Sequence, residues 1–193
     1  QRLLPSGAGR TTMCPTELMY DAKLDPCVRL LPIETRRTSV TIGEYKRTPI
    51  HWTTLHLHKI DSPSEIAEAF AEIVKTKKVS LREAHELGLY QAAPGDGPIS
   101  NSEMIDIPVW RHALINFPHP LLKAGLVLVD TPGLNALGTE PELTMSLLPQ
   151  SHAVLFVLGA DTGVTKTDLD VWNQHVCVAT AAKPNTRMAV LNK

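Results

Sequence analysis

Residues 125–135 read GLVLVDTPGLN, and the break after Val129 decides the fold. Leu126-Val127-Leu128-Val129 is an apolar run without polar alternation, β-branched at every second position, the pattern of a strand covered on both faces. It is expected to be a central parallel strand. In open α/β sheets ligands gather outside the carboxyl ends of such strands, where Asp130 would emerge. A carboxylate there can hold the hydrated shell of Mg²⁺, which keeps several of its waters. Pro132 fixes one backbone dihedral and donates no hydrogen bond, and Gly133 lets the backbone approach a γ-phosphate oxygen with no Cβ in the way. Asp130-Thr131-Pro132-Gly133 therefore suits a magnesium-bound triphosphate. The same residues also make an ordinary Pro-Gly turn, and alone they do not choose.

Downstream, Ala153 to Leu158 and Met188 to Leu191 are two further apolar strands. Glu140 to Leu148 reads as a short helix, and Thr165 with Asp168 starts another, with Leu169, Trp172, Val176 and Ala179 as its buried stripe. Strand and helix alternating at this spacing give the α/β class: a doubly wound, mostly parallel sheet with flanking helices.

Upstream, Pro15 to Tyr20 and Cys27 to Ile33 read as strands, and Thr38 to Ile42 as an exposed one. Ser62-Pro63-Ser64-Glu65 has the form of a capping box and opens a helix with Ile66, Phe70, Ile73 and Val74 on one face. Lys75, Lys77 and Lys78 read as its solvated end. Ser80-Leu81-Arg82-Glu83 is a second box, and Gly88 stops that helix. From Gln91 to Asp106 the chain, with AAPGDGPISNSE, is Gly/Pro/Ser-rich and reads as a mobile loop before a strand over Ile107 to Phe117, which Pro118 and Pro120 end.

With 193 residues and 43% hydrophobic content the chain can bury one substantial core. A net charge of −1 gives no general attraction to nucleic acid. Cys14, Cys27 and Cys177 are far apart, so neither a disulfide framework nor a zinc site is expected, and a reducing cytosol is the simplest compartment. No apolar run reaches membrane-spanning length, and QRLLPSGAGR does not read as a secretory signal. His56 and His58 read as a solvated or partly buried pair rather than a metal site. Trp52, Trp110 and Trp172 read as packing residues.

The third strand ends in Asn192-Lys193, half of the guanine-reading motif Asn-Lys-x-Asp, and three features together now resemble the dynamin-like GTPases. Gly7 to Glu17, GAGRTTMCPTE, resembles their first switch loop, in which a Thr stands a few residues before a Pro. Asp130 to Gly133 is similar to their second phosphate-and-magnesium motif. The run VLFVLGADTGVTKTDLDVW, residues 154–172, looks like the strand and helix between those motifs in bacterial dynamin-like proteins. The likeness covers roughly residues 1–20 and 121–193. Thr12 and Asp130 stand 118 positions apart, whereas Ras-type GTPases join the two by a much shorter hairpin, and the dynamin-like group carries insertions there. The resemblance thus implies a P-loop GTPase-type domain over 1–193, N-terminally incomplete, with a long insertion at about 21–120 between the switch regions. Asp-Thr-Pro-Gly also occurs in septins and in ribosome- and tRNA-modifying GTPases, so the motif by itself leaves the subfamily open.

The resemblance implies roles residue by residue. Thr12 would act in catalysis, coordinating Mg²⁺ through its hydroxyl and touching the attacking water through its carbonyl, with Thr11 in that place if the register differs by one. Asp130 would hold the metal shell, Thr131 and Pro132 would shape the nucleotide turn, and Gly133 would offer its N–H to the γ-phosphate. Asn192 would bond guanine and the Lys193 stem would lie along the ring. The Asp that completes the motif would fall two positions past Lys193. Leu134 stands where Ras-type enzymes place the glutamine that orients water, and the dynamin-like group also lacks it there. No G-x-x-x-x-G-K-[ST] occurs in the chain, so this length alone is expected to bind GTP weakly and to be inactive. For the parent protein the family implies hydrolysis of GTP to GDP and phosphate with Mg²⁺, homodimerisation through the nucleotide face, membrane remodelling, and a cytoplasmic place peripheral to a membrane. A GTPase acting on RNA or ribosomes, and a non-hydrolysing scaffold with a nucleotide fold, are the competing readings.

Overall fold

The computed structural model describes residues 14–60, 62–90, 99, 101–130, 148, 151–161, 163–181 and 186–192. The chain divides into two compact units, Gln1–Thr139 and Glu140–Lys193.

The first unit is built on five strands: β1 (Thr16–Met19), β2 (Cys27–Pro32), β3 (Thr53–His56), β6 (Trp110–Asn116) and β7 (Leu128–Asp130). They lie in the order β3-β2-β6-β1-β7. β1 runs parallel to β6, while the β1–β7, β2–β6 and β2–β3 pairs are antiparallel. Between β2 and β3 lies α1 (Ile42–Lys46); between β3 and β6 lie α2 (Pro63–Ile73), β4 (Thr76–Ser80), α3 (Leu81–Glu86) and β5 (Met104–Pro108); α4 (Pro120–Lys123) precedes β7.

Alternation along the strands sends Leu18, Val28, Leu30, Ala113 and Ile115 to one face, where they pack under Ile66, Ala69, Phe70 and Ile73 of α2. Those four α2 residues recur at helical spacing, so a single stripe covers the sheet. The opposite face meets residues 38–52. There Tyr45 and Trp52 are buried, and the Trp52 indole donates to the Tyr45 carbonyl at 2.8 Å. A second, smaller core joins Ile33, Val79, Ala84, Leu87, Leu89 and Ile107 around the antiparallel β4–β5 pair and α3.

The described sheet is mixed rather than mostly parallel, and β7 corrects the reading of its apolar run. Among the described residues of the first unit it lies at the end of the sheet, antiparallel to β1, and Leu126 to Val129 keep 39–50% of their surface. Apolar periodicity reports that a strand has greasy faces, but carries no information on direction or on place in the sheet. Three local expectations change similarly. Residues 38–41 are irregular, because Thr41 and Glu44 form a reciprocal capping box that starts α1 where an exposed strand was expected. Lys77 and Lys78 belong to β4, not to a helix end, since pairing with β5 takes over three residues after Ile73. The two expected capping boxes are each half made: Ser62 and Ser80 accept from the N–H of Glu65 and Glu83, but the Glu65 carboxylate accepts from the N–H groups of His58 and Lys59, and Glu83 pairs with Arg37.

In the second unit β8 (Val154–Gly159) and β9 (Arg187–Asn192) pair in parallel. A helix, α5 (Lys166–Val171), begins at a reciprocal Thr165–Asp168 capping box and passes through a π-helical turn at Trp172–Val176. Trp172 packs edge-on against Phe156, with ring centroids 5.5 Å apart. Of the expected stripe Val176 is buried and Leu169 is exposed, because the π turn rotates the residues before it relative to those after. The helix expected over Glu140 to Leu148 lies outside the described residues except for Leu148.

Candidate functional site

Thr16 and Asp130 are register partners on β1 and β7, followed by Glu17 with Val129 and Leu18 with Leu128. Because the strands are antiparallel, the start of β1 and the end of β7 share one end of the sheet. The segment before β1 carries Thr12, and the segment after β7 carries Thr131, Pro132 and Gly133. Those four residues, with Thr11, Leu134 and Lys193, lie outside the described residues.

The start of β1 is firmly seated. Cys14 is buried against the α2 core, and the buried Thr16 hydroxyl donates to the Cys14 carbonyl at 3.1 Å. Asp130 is exposed at the last position of β7. Neighbouring atoms strip part of its water, and this desolvation pushes its carboxyl above the ordinary aspartate range. A partly desolvated carboxylate at a strand end is a fitting oxygen donor for a hard divalent ion. Among the described residues, no three His, Cys, Asp or Glu side chains converge as a complete metal cage.

In the second unit Asn192 ends β9, exposed, opposite Gly159 of β8, and its carbonyl accepts from the Ala160 N–H at 2.8 Å. The backbone at this strand end is thereby fixed while the Asn192 side chain faces outward.

Two groups that sequence reasoning did not single out support the β1–β7 end. On the face opposite α2, the Glu17 carboxylate is largely buried, pairs with the Lys46 ammonium at the end of α1, and lies 3.7 Å from Nε2 of the wholly buried His112. Burial pushes the Glu17 carboxyl up, but the His112 and Lys46 hydrogen bonds and charges more than reverse this and hold it at about 2. At the far end of β1, the Asn116 side chain clamps the β1–β2 turn. Its Oδ1 accepts from the Asp21 N–H at 2.7 Å, and its Nδ2 donates to the carbonyls of Asp21, Leu24 and Asp25 at 2.9–3.2 Å. Neither group has a local sequence signature, since their partners are 29 and 95 positions away.

His56 and His58 lie exposed with ring centroids 6.2 Å apart, beside an open groove also lined by Asp25, Pro26 and Ile60. Trp52 and Trp110 pack in the first unit, with the Trp110 indole donating to the Glu72 carbonyl at 2.9 Å. Among the described residues, no helix is long and apolar enough to cross a membrane.

The Dynamin family profile matches residues 1–193. The chain is 36% identical over 95 residues to the isoniazid-induced protein IniA of Mycobacterium tuberculosis, an alignment covering 39% of this chain and 14% of the relative. It is 37% identical over 54 residues to a bacterial dynamin-like protein of Nostoc punctiforme, covering 28% of this chain and 8% of that protein. The matched stretches thus span a small part of the relatives' length. With a match across its whole length, on an α/β fold of P-loop GTPase type, the chain belongs to the dynamin family.

Proposed function

We propose that the parent protein hydrolyses GTP to GDP and phosphate, that residues 1–193 are part of its GTPase domain, and that about 21–120 are an insertion between its two switch regions. The observation that supports this best is the register of Thr16 with Asp130, because it brings the segments carrying Thr12 and Gly133 to the same end of neighbouring strands. Two groups that must both answer to a γ-phosphate need to start from one place.

In this reading Thr12 presents its hydroxyl to the metal and its carbonyl to the attacking water, and Asp130 holds the hydrated metal shell. Thr131 and Pro132 set the turn, and the Gly133 N–H meets the γ-phosphate. Mg²⁺, when bound with GTP, supplies neutralisation of charge on the phosphate oxygens. Asn192 reads guanine and the Lys193 stem covers the ring. Contacts to the γ-phosphate order both switch segments, and its release frees them. Family membership further supports self-association through the nucleotide face and work on a membrane surface from the cytoplasmic side, by parts of the parent beyond this length.

Phosphate release by the full-length protein, with GTP and Mg²⁺, tests the proposal. Turnover of GTP but not ATP, lost on chelation, is expected. Equal turnover by wild type and Asp130→Ala would overturn it.

A further inference from the structure

We propose that Glu17 is a positioning residue for the GTPase reaction: its ion pair with Lys46 ties the β1–β7 pair to α1 and so sets where the switch segments start. The inference rests on the GTPase reading above and names a residue and a connection which that reading does not contain.

Glu17 comes five residues after Thr12, and its register partner on β7 is Val129, the residue before Asp130. It therefore sits on the strand pair from which both proposed switch segments depart. Its side chain, 13% exposed, reaches across to Lys46, which is 34% exposed at the last position of α1. The groups facing it can be named element by element. From α1 comes the Lys46 ammonium, and from β6 the His112 imidazole at 3.7 Å. Farther along the same layer, Arg29 of β2 lies over the Trp52 ring at 5.1 Å, Trp52 is edge-on to His112 at 6.3 Å, and Arg111 of β6 lies over Tyr45 at 5.9 Å. Glu17 thus supplies a negative charge on the face of the sheet that also carries Lys46, Arg29 and Arg111.

A leucine at position 17 would pack β1 against α1 with less desolvation cost, since buried ion pairs rarely add net stability. What the ion pair adds is direction. A charge-assisted hydrogen bond fixes the separation and angle of its partners, whereas apolar contact lets them slide. Sliding matters here, because β1 and β7 share a ladder: a shift of β1 relative to α1 also displaces Asp130, the register partner of Thr16. Misplacement of catalytic groups by about 1 Å is enough to cost a large factor in rate.

The experiment uses the full-length parent protein, with steady-state GTP hydrolysis and thermal unfolding measured on the same preparations. Glu17→Gln and Lys46→Met are each expected to lower kcat, per folded molecule, by about tenfold while KM for GTP stays within about twofold. The double variant is expected to be no slower than the slower single one, because both remove the same link. Lys46→Arg, which keeps the pair, is expected to restore wild-type kcat. Unchanged kcat in Glu17→Gln and Lys46→Met with a lowered Tm would show a merely structural pair and overturn the proposal, as would a rise in KM alone. If Glu17→Gln does not fold, Lys46→Met decides, since Lys46 is partly solvated. Absence of GTP hydrolysis by the wild type would overturn the GTPase reading and this inference with it, whereas an active wild type with fully active variants overturns this inference alone.

Discussion

Thr16 and Asp130 stand directly opposite one another across the antiparallel β1–β7 ladder. The pairing puts the carboxylate proposed to hold the metal shell at the end of the sheet where β1 begins. It also separates two properties usually confounded in a mutation: Asp130 is central to the proposed chemistry, yet it lies exposed on the last strand of the described sheet.

Asp130→Asn should therefore abolish turnover without unfolding the protein. Desolvation already disfavours the ionised carboxyl in the fold, so neutralising it removes a small native-state penalty. The expected outcome is a loss of GTP hydrolysis by about a hundredfold or more, with Tm equal to or above wild type. Phosphate-release assays and thermal denaturation on the same sample check both halves. Chelation of Mg²⁺ should reproduce the activity loss in the wild type and leave the variant's residual rate unchanged.

Acid should reveal Glu17. Its folded carboxyl, at about 2, lies below the ordinary 4.5, so the stability it contributes is fully present above about pH 4.5 and is lost as pH falls towards 2. At neutral pH this makes the ionised carboxylate on the order of 3 kcal/mol more favourable to the fold than the protonated acid in the same place. Denaturation midpoints of the full-length protein measured between pH 6 and pH 3 should fall more steeply for wild type than for Glu17→Gln. Parallel pH profiles would contradict the assignment.

Asn116 offers a test of the turn clamp with an internal control. Asn116→Ala should cost about 1–3 kcal/mol by releasing one acceptor and three donor interactions at the β1–β2 turn. Asn116→Asp should cost more at pH 7 despite its near-identical shape, because it sets a carboxylate against three carbonyl oxygens. Urea denaturation of the two variants gives the order; a milder Asp variant would be contrary to this hydrogen-bond assignment.

Two glycines should respond to alanine with opposite signs. Gly88 follows α3 at φ +67°, where an added Cβ meets only a soft contact with the Arg36 guanidinium, so the strain is in the backbone itself and should cost about 1 kcal/mol. Gly43, inside α1, has ordinary helical geometry and room for a Cβ, so Gly43→Ala should stabilise by about 0.5–1 kcal/mol. Chemical denaturation of each variant reads the sign.

How much of this was legible beforehand follows from the range of each interaction. Ser62-Pro63 and Ser80 announce their helices, and Gly88 its stop, because caps act over three or four residues. The apolar runs at 126–129, 154–158 and 188–191 announce strands, but their periodicity is silent on neighbours, so the place of β7 at the end of the described sheet and its antiparallel sense were hidden. Lys77 and Lys78 misled because a local helix-end reading lost to pairing with Ile107 and Asp106, about thirty residues away. Of the candidate site, Asp130 and Asn192 fall at strand ends as their motifs implied. The pair Glu17–Lys46 and the Asn116 clamp left no mark in the sequence, since each partner is ordinary in its own neighbourhood and acquires meaning only by tertiary contact.

The place of β6 between β2 and β1 sets a constraint on how the protein is made. β1 and β2 leave the ribosome before β6, but in the finished sheet they are not hydrogen-bonded neighbours; β6 lies between them, and its Asn116 meets the turn that joins them across 95 positions of chain. Until β6 has been synthesised, β1 lacks the described strands it pairs with, and β2 keeps unpaired the edge that faces away from β3. The nascent chain is therefore exposed to misassociation for as long as translation of the intervening segment takes, and slow translation there should favour chaperone capture over spontaneous folding.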